Sequence, residues 1–337
     1  MDWLAAAQAA AAAEAPMPCS VIPDKVQGRL LSLDGDYLAY FMAGNDDTDS
    51  GTARRNAIQR IETMKDMTGS TGVVMHLSAD GCTKADRFLI STVQPYQGRR
   101  SGAGRPKNWP YLREFFESYR GAMFTPKLWW DREADDGMAY MQQKWYTESK
   151  EQLIVTATRD KDMRQYPGWH MDWMTYQMTF VPEGAYEIIG ANDLIYGHKW
   201  FWLQMLQGDG ADHIKGLPAW IKPNGKQELV GDARALAHLK ECTTDQEAFD
   251  KVWELYMTYY LDVGTPIRMA ESALLLWLRR DKNASYDDMM NWLQLDRENV
   301  NVQRFHKELL GHKVRVDAMK AEVAAIEANH ITTKARP

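Results

Sequence analysis

Nine acidic side chains fall where carboxylates could act together: Asp34, Asp80, Glu133, Asp135, Asp136, Asp160, Asp162, Asp209 and Asp212. Glu133 and Asp136 are three apart, as are Asp209 and Asp212, so each pair can share one helix face. Asp160 and Asp162 have the spacing of same-side residues in an extended chain. Carboxylates gathered this densely repel one another unless cations or protons neutralise them. Hard divalent cations suit such oxygen ligands, and magnesium takes a few carboxylates while keeping waters. Two such ions about 3.5–4 Å apart can clamp an in-line phosphoryl displacement. The chemistry indicated is two-metal hydrolysis of a phosphodiester. A structural calcium site is the competing reading, but no D-x-D-x-D-G loop occurs at any cluster. No Ser/His/Asp order, P-loop, G-x-G-x-x-G or H-E-x-x-H is present either.

Four of these clusters follow short apolar runs: Arg29–Leu33, Val73–Leu77, Leu128–Trp130 and Gln152–Thr156. Helical segments separate them, at Thr52–Met67, Trp109–Tyr119 and Asp135–Trp145. Alternation of this kind predicts an α/β fold, a mostly parallel central sheet with flanking helices. Such sheets bind ligands beyond the carboxyl ends of their strands, so four segments could deliver acids to one rim. One acid after a strand is ordinarily a turn former or cap. Four in series point to a site. Trp173–Val181 and Glu187–Ile189 read as a strand pair beside the sheet. From Trp200 the pattern turns helical, with Ala233–Lys240, Glu247–Leu261 and Met269–Arg279 following, and Pro218–Gly231 reads as a loop. The predicted organisation is an Ala-rich extension (1–23), an α/β core (24–199), a helical subdomain (200–280) and a helical C-terminal extension (281–337).

Apolar residues make up 45% and charged residues 26%, which excludes disordered and collagenous classes. No run is long enough to span a membrane, so no membrane partner is expected. Alanine-rich Met1–Pro16 has no basic residue before Lys25, which argues against an export signal. Cys19, Cys82 and Cys242 are far apart and lack C-x-x-C spacing, consistent with a reducing cytoplasm. The net charge of −6 argues against nucleic acid at first sight. Without the nine acids, however, 37 acids face 40 bases and the remainder is positive.

Lys84, Arg87, Arg99, Arg100, Arg105 and Lys107 make the stretch after Asp80 basic, with Tyr96 among them. That mixture suits a single strand held by phosphate pairing and base stacking. An ordinary solvated loop is the alternative. His76, inside an apolar run, reads as a core residue. Val302, Phe305, Leu309, His312, Val316, Met319, Val323 and Ile326 recur at heptad spacing, interrupted at His312. Docking on the chain's own helices is one reading, and a replisome partner or dimer seam is the other.

The order and wording of the acidic clusters resemble the flap-endonuclease and 5′-nuclease family, particularly its bacteriophage exonucleases. The matching pieces are LLSLDGDYLAY, HLSADG, PYQGRR, READDGMAYM, TATRDKD and QGDGADHIKGLP, between residues 30 and 218. The resemblance implies a Mg2+-dependent 5′-3′ exonuclease or flap endonuclease, with two ions, Mn2+ as a substitute, and DNA bearing 5′ ends or flaps as partner. It places Asp34, Asp80, Glu133, Asp135, Asp136 and Asp160 around the tighter-held metal and Asp162, Asp209 and Asp212 around the second. It implies that Asp36 caps a helix, and that QGDGADHIKGLP opens a helix–turn–helix, where Lys215 and Gly216 meet the duplex backbone and K+ can bind. A phage-encoded enzyme would act in the host cytoplasm, in DNA replication or degradation.

Two departures from the family pattern stand out. The gateway sequence Y-K-x-x-R is Tyr96-Gln97-Gly98-Arg99-Arg100 here, so Gln97 stands where a lysine is usual while Arg100 keeps the arginine. Gln97 and Arg100 are accordingly the implied catalytic pair at the scissile phosphate. An insertion follows Gly216-Leu217-Pro218 before Gly231. The alternatives to a DNA nuclease are a non-catalytic replisome adaptor of the same fold and a nuclease acting on RNA primers.

Overall fold

Leucine-rich Leu30–Asp34 forms the central strand, β1, with β2 (Gly72–Ser78) on one side and β4 (Ile154–Ala157) on the other, both parallel to it. β3 (Thr125–Trp129) extends the parallel sheet beyond β2, and β5 (Gly168–Met171) extends it beyond β4. β6 (Met178–Val181) closes the edge antiparallel to β5, giving the order β3-β2-β1-β4-β5-β6. This computed structural model describes residues 22–98, 104–149, 153–221, 227–283, 286 and 288–334. The Ala-rich tract, Arg99 and Arg100 lie outside the described residues.

The described residues divide into two compact units, one within 1–85, 102–200 and 278–284, the other within 86–101, 201–277 and 285–337. In the first unit the sheet is covered by α1 (Gly35–Phe41), α2 (Ser50–Met67), α3 (Trp109–Ser118) and α4 (Ala134–Ser149). α2 is capped by the Asp49 side chain, which accepts from Thr52 N, and buries Ala53, Ala57, Ile61 and Met64 at steps of four, four and three. These meet Leu31, Leu33, Val73, Met75 and Leu77 in one core. Gly35 is where α1 crosses β2: a Cβ there would lie 2.6 Å from Leu77 Cδ2 and 2.8 Å from the His76 carbonyl. His76 is a core residue as expected. Burial pushes its imidazole down to about 3, and Trp129 Nε1 donates to its Nδ1 at 3.0 Å.

The expected strand pair at 173–181 and 187–189 is corrected. Asp172 Oδ1 accepts from Met174 N and Thr175 N, folding that stretch into a turn between β5 and β6. Ile188–Ile189 (β7) pairs instead with Ile195–Tyr196 (β8).

The second unit is mostly helical. It holds the greater part of α5 (His198–Gln207), two small hairpins, then α6 (Asp232–His238), α7 (Asp245–Leu276) and α8 (Val300–Lys334). The first hairpin pairs β9 (Gly208–Asp209) with β10 (Ile214–Lys215), and the second pairs β11 (Pro218–Ile221) with β12 (Gln227–Leu229). The expected helix–turn–helix is not seen among the described residues: QGDGADHIKGLP forms a hairpin, and the next described helix starts at Asp232.

α7 runs through the predicted gap between two helices. Leu261 breaks it with φ 56° and ψ −174°. Pro266 lacks the N–H that would reach the Asp262 carbonyl, and Arg304 Nη2 donates to that carbonyl at 2.6 Å instead. The heptad positions Val302, Phe305, Leu309, His312 and Val316 of α8 are buried within this unit. His312 interrupts them because its Nδ1 accepts from Arg315, which also donates to the Ile90 carbonyl. Met319, Val323 and Ile326 are exposed.

Candidate metal centre and nucleic-acid interface

β1 has a strand on either side, and the connections leave it in opposite directions across the sheet, so the crevice between the ends of β1 and β4 is a switch point. Asp34 ends β1 there. Its carboxylate caps α1 by accepting from Tyr37 N at 2.9 Å and accepts from Thr158 Oγ1, just past β4, at 2.8 Å. Burial, reinforced by the charges of Asp36 and Asp160, lifts the Asp34 carboxyl to about 7. Asp160 caps the turn that follows β4, accepting from Asp162 N at 2.9 Å, and Asp162 is buried.

Glu133, Asp135 and Asp136 lie at the start of α4, whose dipole favours negative charge at that end. One carboxylate oxygen from each lies within 4.8 Å of the others. Asp136 is fully buried, with Oδ2 accepting from Glu133 N at 3.1 Å and Oδ1 from Arg279 N at 2.7 Å. It fixes the helix start, while Glu133 and Asp135 are less buried. Asp80 is exposed on the turn after β2. Asp36 is held by Arg113 and accepts from Ser78 N at 3.0 Å, so it ties α1 to β2 and α3. The parallel register thus brings the acids after β1, β2, β3 and β4 to one end of the sheet. A divalent cation fits the donor set: Glu133, Asp135 and Asp136 supply oxygens close enough to share an ion.

Asp209 and Asp212 lie in the second unit and do not share a helix face. Asp209 Oδ1 accepts from Ala211 N at 2.7 Å and closes the β9–β10 hairpin. The segment before Gly98 is joined to this hairpin. Gln97 N donates to the Asp212 carbonyl at 2.8 Å, Gln97 Nε2 to Asp212 Oδ1 at 3.0 Å, and the Tyr96 hydroxyl to Asp212 Oδ2 at 3.0 Å. Gln97 is buried with φ 53°. The amide at 97 therefore orients an acid. No signal in the sequence tied residue 97 to residue 212.

Basic residues divide similarly. Lys84 Nζ lies 3.9 Å from Glu133 Oε1. Arg105 stacks over the Trp109 ring at 4.1 Å, Lys107 donates to the Asp46 carbonyl, and Lys215 is exposed on β10. Arg87 corrects the expectation of a DNA contact: it is 1% exposed and donates to the carbonyls of Leu275 and Trp277 at the end of α7. Gly216 is corrected in the same way, because it is buried and a Cβ on it would meet the Gln207 carbonyl at 2.1 Å.

Sequence reasoning missed Glu271. Buried in α7, its carboxylate accepts from Thr92 N at 2.6 Å, Val93 N at 3.1 Å and Thr92 Oγ1 at 2.5 Å, with Arg268 alongside at 3.0 Å. Glu271→Ala strands those donors and should cost about 2–4 kcal/mol, read as a shift in the urea unfolding midpoint. An unchanged midpoint would show that the tether contributes nothing to stability.

No protein-family model matches this chain, and no curated protein matches it. Among solved structures, the D15 protein of bacteriophage T5, co-crystallised with metal ions, matches with a TM-score of 0.50. The match is at 14% identity and covers 84% of this chain and 98% of that one. The fold is that of a 5′-nuclease. Two other bacteriophage T5 structures match at 13% identity over 84% of this chain and 99% of theirs. One is a mutant 5′-exonuclease (TM-score 0.43), the other a flap endonuclease in a pseudo-enzyme-product complex with DNA and metal ions (0.48). In this 5′-nuclease fold the acid group lies where the parallel sheet opens to ligands, beyond the carboxyl ends of its strands.

Proposed function

We propose that the chain is a divalent-metal-dependent 5′-nuclease that hydrolyses DNA phosphodiesters at or near 5′ ends or flaps, by a two-metal route. The observation that carries this reading is the close group of Glu133, Asp135 and Asp136 at the open rim of a 5′-nuclease sheet. Asp34 and Asp160 border the same rim and complete the first group, with Asp80 on the adjoining turn. Asp162, Asp209 and Asp212 are assigned to the second ion from their place in the sequence pattern. Bound magnesium would supply an activated water and charge relief on the leaving 3′ oxygen. Manganese suits the same oxygen donors. Tyr96 and Gln97 orient Asp212, and Arg100 is assigned to the phosphate from its place in the gateway sequence. Contacts made largely to phosphate would recognise the shape of the strand rather than its bases.

The test is a product-length assay on blunt, nicked, gapped and flapped DNA and on an RNA-primed duplex, each labelled at either end. Short products released from 5′ ends or flaps in magnesium or manganese, and none with chelator, are expected. Binding without any metal-dependent cleavage would leave the adaptor reading in its place. Preferential loss of the ribonucleotide strand would make the substrate RNA.

A further inference from the structure

Two tryptophans of opposite fate stand at the end of β3 and just past it. Trp129 is buried against His76, whereas Trp130, the next residue, is 64% exposed. Among the tryptophans whose side chains are described it is the one that is exposed; the others are buried or half-buried. An indole of that size costs free energy to leave in water, and single exposed apolar side chains are common enough to need more than exposure as an argument. The second observation is what surrounds it. The loop after β2 is stitched to the end of β3 by three hydrogen bonds: Ala79 N to the Trp129 carbonyl at 2.8 Å, Thr83 N to the Trp130 carbonyl at 2.9 Å, and Ala85 N to the Asp131 carbonyl at 3.0 Å. Thr83 Oγ1 adds a fourth, to the Asp131 carbonyl at 2.8 Å. That ladder holds Lys84 on the same rim, in a left-handed turn with φ 51°, its ammonium 3.9 Å from the open metal ligand Glu133. A cation on Glu133 would repel that ammonium and leave it to a different anion. An aromatic face and an ammonium, fixed on neighbouring backbone beside a carboxylate group, match the base and the phosphate of one nucleotide.

We propose that Trp130 and Lys84 form a nucleotide-binding site at the rim of the sheet, the indole stacking on a base and the ammonium taking that strand's phosphate. The proposal rests on the 5′-nuclease reading and adds to it the residues that grip the strand entering the acid group. Stacking of this kind tolerates any base, so the site would serve strands of any sequence.

The test is fluorescence anisotropy of a 5′-labelled single-stranded oligonucleotide, with calcium in place of magnesium, against wild type, Trp130→Ala, Trp130→Phe and Lys84→Ala. A matched strand with abasic positions at its 5′ end completes the cycle. Trp130→Ala should weaken binding of the intact strand at least about fivefold, leave binding of the abasic strand unchanged, and be partly rescued by Trp130→Phe. Lys84→Ala should lower the slope of log affinity against log salt by about one. Equal losses on intact and abasic strands, or no loss while circular dichroism shows an intact fold, would overturn the stacking assignment. An unchanged salt slope would overturn the phosphate assignment. Wild type that neither binds nor cleaves 5′-ended DNA would sink the nuclease reading and this site together. Wild type that does both while Trp130→Ala behaves identically would sink this site alone.

Discussion

Asp135→Asn is expected to cut magnesium-dependent cleavage of a 5′-labelled duplex by at least a hundredfold, while DNA affinity holds or rises. The substitution is isosteric and keeps an oxygen that can accept from Asp136 N, the bond Asp135 Oδ1 makes at 2.7 Å, so the start of α4 is preserved. What it removes is one unit of negative charge from a group whose oxygens lie within 4.8 Å of one another. A hundredfold loss corresponds to about 3 kcal/mol in the barrier, the scale on which one preorganised charge acts at a developing phosphate charge. Affinity moves the other way because a repulsive charge leaves the phosphate path. Single-turnover rates with enzyme in excess, beside filter-binding constants, separate the two effects. A rate within tenfold of wild type would remove Asp135 from the metal group and the two-metal route with it.

The second large effect is on stability, and its sign follows from Asp34. Its carboxyl sits near 7 in the folded chain against an ordinary value of 3.8, so between those limits the folded state holds the proton more tightly than the unfolded one. Without divalent ions the contribution is fully present below about pH 4 and is lost as the pH climbs to 7, a fall on the order of 4 kcal/mol. Asp34→Asn keeps the cap on Tyr37 and the Thr158 contact but cannot ionise. Its unfolding midpoint in chelator should therefore exceed that of wild type at pH 8 and nearly match it at pH 4. Magnesium should raise the wild-type midpoint far more at pH 8 than at pH 5. Parallel midpoint-versus-pH curves for the two proteins in chelator would refute the assignment of Asp34 as the strained acid.

The sheet was legible because its signals are local. β1, β2 and β4 are short apolar runs and β3 ends in one, each stopping before an acid or a turn, and parallel pairing then places the acids that follow them at one end without further information. Distances in the chain defeated the rest. Spacing of three suits a helix face or a tight hairpin equally, and Asp209–Asp212 took the hairpin because Asp209 closes the turn with its own side chain and His213 accepts φ 60°. Arg87 looks like any basic loop residue until the end of α7, almost two hundred positions later, offers it two carbonyls. Gln97 looked like a lost charge until Asp212 appeared beside its amide. For Arg87 and Gln97 a polar group found its partner across a large gap in sequence, and no periodicity records such a pairing.

One such long-range partner sets an order of events. Residues 278–284 return to the first unit after the chain has built most of the second. There the Leu278 carbonyl accepts from the Tyr166 hydroxyl, the carbonyls of Arg279, Asp281 and Lys282 take the Arg132 guanidinium, and Arg279 N holds Asp136. A ribosome makes the chain from its N-terminus, and domains generally fold as they emerge. The strands and the acidic cluster of the first unit are thus all synthesised before the short strap that secures Asp136 and whose carbonyls accept from the Arg132 guanidinium. A nascent chain that has reached residue 277 has every acid of this cluster but not the clasp that holds Asp136 in place. The acidic cluster is secured late in synthesis, when most of the chain has already left the exit tunnel.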